Sequence, residues 1–119
     1  MGQRILADGI GLTVVSVSKQ SAFGPLYLIL DVILENVSRN EDVPYAPVDL
    51  SVEDSEGFQY SATYWVPYTT LESGTLARGS QARGNVAFEI DSVARGFIAT
   101  YDPTELPGGY QVIRIDLGQ

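Results

Sequence analysis

The chain has 119 residues, fifteen acidic and seven basic side chains, a net charge of −8, and neither cysteine nor histidine. Disulfides, Ser–His or Cys–His nucleophile pairs and Cys/His zinc sites are therefore excluded, and the length fits one domain that buries about two-thirds of its surface. Arg4, Lys19, Arg39, Arg78, Arg83, Arg95 and Arg114 are scattered, no two adjacent, which argues against nucleic acid and against an anionic membrane surface.

The first seven residues carry neither a signal-peptide apolar core nor a myristoylation pattern. That is compatible with a cytoplasmic chain or with a mature exported domain. From there on the hydrophobic pattern has period two. Residues 11–18 (GLTVVSVS) predict a short strand with apolar residues on both faces, which calls for a bulge or a shift between sheets. Residues 25–35 predict a long central strand. Leu26, Leu28, Leu30, Val32 and Leu34 share one face, and Tyr27, Ile29, Asp31, Ile33 and Glu35 share the other. This is the longest apolar-rich run, and it is too short and too interrupted by Asp31 to cross a membrane as a helix, which takes about 20 residues.

A polar, proline-bearing crossover, 36–47, follows. Residues 48–54 predict a strand burying Leu50 and Val52. Asp54-Ser-Glu-Gly57 then makes a tight hairpin with Gly57 at positive φ. Residues 58–64 predict its partner, with Phe58, Tyr60, Ala62 and Tyr64 on one face. Loop signals at Ser73-Gly74 and Arg78-Gly79 precede a strand at 84–91 that buries Val86, Phe88 and Ile90. Residues 91–95 read as one helical turn. Strands at 97–101 and 111–117 close the chain, separated by Pro107-Gly108-Gly109. Seven short strands with almost no helix predict an all-β fold, an immunoglobulin-like antiparallel β-sandwich of about seven strands. It forms a single domain over 1–119 with its core at about 10–117, a barrel being the alternative architecture.

The order of these motifs carries a resemblance. The strand ending in Asn36 comes first, then Asp49-Leu-Ser-Val-Glu-Asp-Ser-Glu-Gly57-Phe-Gln-Tyr60, then Leu76-Ala-Arg-Gly79. Gly84-Asn-Val-Ala-Phe88-Glu-Ile90 and Val112-Ile-Arg-Ile-Asp-Leu117 follow. Together they resemble an uncharacterised immunoglobulin-like domain family of bacterial and archaeal lipoproteins and secreted proteins, similar to a mycobacterial secreted immunogenic protein. Departures at Arg78, Ser80 and Asp91 fall in turns. The resemblance implies a sandwich fold and an extracellular or cell-envelope setting, and it supplies no catalytic residue.

Chemistry has little to work with. The carboxylates Asp31 and Glu35 lie on one strand face at i and i+4, about 13 Å apart, too far to act as a pair. No enzyme and no cofactor is expected. The acidic residues Asp49, Glu53, Asp54 and Glu56, with Asp102, read as a solvated hairpin, a structural Ca²⁺ being the alternative. Asn36-Val37-Ser38 matches a glycosylation acceptor by a three-residue pattern that arises often by chance. The richest segment is aromatic: Tyr60, Tyr64, Trp65 and Tyr68, with Tyr45 as a potential addition. These side chains either cover the rim of the core or present a surface to a partner, since Tyr and Trp give rigid contact area with polar tips. The expected function is thus a non-catalytic envelope or extracellular binding module. Its expected partner is a protein, or a glycan in the alternative reading, and homodimerisation through a sheet edge fits the architecture.

Overall fold

A computed structural model describes residues 2–21, 24–63, 68–102 and 112–119. Ten strands are seen among them: β1 (Arg4–Ala7), β2 (Ile10–Ser21), β3 (Leu26–Asn36), β4 (Val43–Tyr45), β5 (Leu50–Glu53), β6 (Gln59–Thr63), β7 (Gly74–Leu76), β8 (Gln81–Ile90), β9 (Ile98–Tyr101) and β10 (Ile113–Asp116). All pairings are antiparallel. Eight strands run in the order β1-β2-β3-β8-β6-β5-β9-β10, and β4 and β7 form a separate two-stranded sheet.

The long ribbon folds over at β6. Its first three residues pair with β5, Glu53 opposite Gln59 and Ser51 opposite Ser61. Its last two leave for β8, Ala62 opposite Phe88 and Thr63 opposite Ala87. Two layers result, β1-β2-β3-β8 and β5-β9-β10, joined through β6 into an immunoglobulin-like sandwich. The ribbon's outer strands, β1 and β10, touch at the opposite side. A cavity of about 180 Å³ lined by Gly2, Gln3, Ile5, Val14, Ile115 and Asp116 marks that seam.

The core lies between the layers. Leu12, Leu28, Leu30, Val32, Leu34, Leu50, Val52, Val86 and Phe88 are fully buried there, with Tyr101 and Ile113 almost so. The alternating apolar residues of the central strand thus do what period two requires. The shift of face within β2 is a bulge at Val15, where the register with β3 slips between Val14 and Ser16.

Several expectations are corrected. The segment 48–54 is not strand throughout: Pro47–Asp49 is a 3-10 turn and β5 starts at Leu50. Pro47 presets the turn, and the Asp49 carboxylate accepts the Ala46 N–H at 3.1 Å. Phe58 precedes β6 and stands 63% exposed, outside the face assigned to it. Residues 91–95 form a hydrogen-bonded turn, Ala94 N–H to Asp91 carbonyl at 3.0 Å, braced by Val93 N–H donating to Asp91 Oδ1 at 3.1 Å. β8 begins at Gln81, and β1, β4 and β7 add to the seven strands expected.

Candidate functional site

The aromatic segment is divided by the sheet. Tyr60, on β6, faces the main core: its ring meets Phe97 edge-on at 6.2 Å. Its hydroxyl donates to Asp54 Oδ2 at 2.9 Å. Asp54 is only 7% exposed. Its Oδ1 accepts the N–H groups of Glu56 and Phe58, both at 3.0 Å. Desolvation works to raise the Asp54 carboxyl. The hydrogen bonds from Tyr60 and from the backbone of Phe58, Glu56 and Gly57 outweigh it and hold the carboxyl below the ordinary range. Desolvation and the same carboxylate push the Tyr60 phenol up. So Asp54 is a buried hairpin brace rather than part of a solvated acidic loop.

Tyr68 lies on the other side of the sheet. It packs against Tyr27 at 5.7 Å between ring centroids. It caps a second apolar cluster, Tyr27, Ile29 and Ala87, that the sheet separates from the main core. Tyr60 and Tyr68 are therefore not brought together. Tyr64 and Trp65 lie outside the described residues. Tyr45, on β4, is laid across Gly74 of β7, where an added Cβ would come within 2.9 Å of the phenol oxygen. Tyr27 is the residue sequence reasoning did not single out. Its signal was the second face of the central strand, where Tyr27, Ile29 and Ile33 give an outward surface too apolar to stay wet.

What carries Tyr68 onto this face is a graft of loop onto strand. Next to the β6–β8 pairing at Thr63 and Ala87, residues 69–71 bond to β8. Thr69 Oγ1 donates to the Thr63 carbonyl at 2.6 Å and accepts the Ala87 N–H at 2.9 Å. Thr70 Oγ1 accepts the Asn85 N–H at 2.9 Å. The Asn85 carbonyl in turn accepts the N–H groups of Thr70 and Leu71 at 2.9 and 3.1 Å. Gly84 lets the backbones close up, since a Cβ there would stand 2.7 Å from Leu71 N and Cα.

The other polar groups are held by structure. Asp31 receives a two-point bond from Arg83, at 3.1 and 2.8 Å, and Glu35 is 3.4 Å from Arg4. Asn36 is fully buried. Its Nδ2 donates to the carbonyls of Glu41 and Leu76 at 3.1 and 3.0 Å, and its Oδ1 accepts the Arg39 N–H at 2.9 Å. Side-chain turn closure is therefore the role of this residue, and its amide is closed to glycosylation in the folded chain. Among the described residues no group of three or more acidic side chains is placed to hold a metal ion, and no helix is long and apolar enough to cross a membrane.

Comparisons with known proteins agree with this architecture. Residues 5–110 match the family model "Domain of unknown function (DUF4352)", and the chain belongs to that family. Solved structures share its fold. The yjhA protein of Bacillus subtilis superposes with a TM-score of 0.75 at 17% identity over 98% of each chain. A candidate lipoprotein of the same organism, ycdA, gives 0.77 at 17% identity over all of this chain and 40% of its own. The secreted protein MPT63 of Mycobacterium tuberculosis gives 0.68 at 14% identity over 87% of each. A search of curated proteins finds no match.

Proposed function

We propose that the chain is a non-catalytic binding module of the extracellular space or cell envelope, and that it engages a protein through the aromatic segment that ends at Tyr68, the residue that caps the outer face of β3 and β8. The observation that carries this reading is the second apolar cluster. An outward sheet face is normally polar. Here Tyr27, Ile29 and Ala87 are buried against Tyr68, the end of a segment that contains Tyr64 and Trp65. The hydroxyl-mediated graft of residues 69–71 onto β8 holds the chain next to Tyr68 on rigid scaffold, as a binding surface needs. The setting is supported by fold relatives that include a secreted protein and a candidate lipoprotein. The non-catalytic reading is supported by the structural pairing of the outer-face carboxylates, Asp31 with Arg83 and Glu35 with Arg4.

The test is affinity capture from envelope and culture-medium fractions with the wild-type chain, Trp65→Ala and Tyr68→Ala. A protein retained by the wild type and lost from both variants, at unchanged folding, is the expected result. Equal retention by all three rejects the surface. A glycan array run in parallel addresses the carbohydrate alternative, in which Trp65 fluorescence responds to a sugar and no protein is retained.

A further inference from the structure

Among the described residues the outer edge of β2 is paired over only half its length. β1 pairs with Ile10 to Thr13, and the Gly2 N–H reaches the Val14 carbonyl at 2.8 Å. Beyond the Val15 bulge, residues 16–21 are paired on their inner side with β3. Among the described residues nothing pairs with their outer side. An unpaired run of this kind is a template for another strand.

Its sequence is self-complementary. In an antiparallel pairing of two copies centred on Ser18, Ser16 of each copy faces Gln20 of the other, and Val17 faces Lys19. The polar row Ser16, Ser18 and Gln20 would share one face and exchange hydrogen bonds. No carboxylate lies between Asp8 and Asp31 in a chain of net charge −8, so the acidic surface does not guard this edge.

Lys19 does. It is the single lysine of the chain. It stands opposite Leu28, a fully buried core residue, and directly opposite residues share a face. Its side chain therefore points to the inner side of the sheet, where the ammonium sits 5.7 Å from the centre of the Phe97 ring. Among the described residues it has no acidic partner. A second β2 laid on this edge would cover that ammonium and bring a second one to the same face, with the two Cβ atoms about 7–8 Å apart. Desolvating two like charges without a counter-ion opposes the pairing.

We propose that the edge of β2 at residues 16–21 is a self-pairing surface for a second copy of this chain, and that the inward-pointing charge of Lys19 keeps it closed. Replacing the charge by an apolar side chain would turn Val17 and residue 19 of both copies into one apolar pad under a continuous sheet.

The experiment compares the wild-type chain with Lys19→Met, Lys19→Gln and Lys19→Arg by sedimentation and light scattering, with circular dichroism confirming folding. Lys19 is exposed, so none of these changes removes core packing, and Lys19→Gln keeps a long polar stem as a second neutral variant. The wild type and Lys19→Arg run at single-chain mass, and both neutral variants double it. Adding Ser18→Cys to Lys19→Met places one thiol in a chain that otherwise has none, and oxidation then links the two copies through that position. Folded neutral variants that stay at single-chain mass overturn the proposal. So do a wild type already at double mass, doubling by Lys19→Arg, and doubling without the cross-link.

Discussion

Two buried polar side chains, Asn36 and Asp54, hold turns in place. Asn36 ties three chain segments together: its own turn at Arg39, the carbonyl of Glu41 and the carbonyl of Leu76 on β7. Replacing it with alanine removes three hydrogen bonds from a fully buried position. At about 1 kcal/mol each this costs about 3 kcal/mol, to be read from denaturant unfolding. Asp54 does the same for the β5–β6 hairpin and adds a pH dependence. Desolvation raises its carboxyl, the bonds from Tyr60 and the hairpin N–H groups lower it, and the net direction is down. The folded state then binds fewer protons than the unfolded state through the ordinary carboxylate range. Its stabilisation is complete above the unfolded value of about 3.9 and is lost as pH falls through the depressed folded value. Thermal melts taken between about pH 5 and pH 2 should show a steep loss for the wild type and a shallower one for Asp54→Asn. Parallel curves would remove Asp54 from this role.

At the scale of elements, the strands with a buried face were legible because alternation alone specifies them. Leu28, Leu30 and Val32 with Val86 and Phe88 could hardly belong anywhere but the core. β1 was equally readable but hidden by its brevity. Asp8 and Gly9 both have positive φ, the type I′ geometry that an Asp-Gly pair favours in a two-residue hairpin. The failures fall where local chemistry overrides periodicity. Pro47 and Asp49 turn the start of a predicted strand into a 3-10 turn, and Asp54 draws in the Phe58 N–H ahead of β6. The site was legible only in part. The aromatic cluster is obvious in sequence, yet the faces that Tyr60 and Tyr68 take depend on β6 crossing from β5 to β8 and on residues 69–71 bonding to β8, a tertiary event with no local signal beyond Gly84. That event has its own prediction. Gly84→Ala pushes a Cβ to within 2.7 Å of the Leu71 backbone and should destabilise the chain by about 1–3 kcal/mol. The same change should weaken partner binding, because Leu71 is the anchor that follows Tyr68. Unfolding and binding assays on this one variant check both.

Over the whole molecule, one ribbon of eight strands folds at β6 into two layers and nearly closes where β1 meets β10. A packed core of aliphatic and aromatic side chains holds it without a disulfide, so the fold does not depend on the redox state of its surroundings. The acidic excess is spread over turns and outward faces, and where carboxylates matter structurally they are tied by Arg83, Arg4 or backbone N–H groups. What distinguishes this sandwich from a bare scaffold is a second apolar cluster on the outward side of a sheet, covered by Tyr68 and followed by the bonds of Thr69 and Thr70 to β8. The most direct measurement is a binding titration of the captured partner against the wild-type chain and Tyr68→Ala, with the melting temperature of both recorded. The account predicts that loss of the Tyr68 ring weakens binding by about tenfold or more, the scale of an aromatic anchor, while the melting temperature falls only as uncovering Tyr27, Ile29 and Ala87 requires and both proteins stay folded at the temperature of the titration. Equal affinity for the two proteins would contradict it.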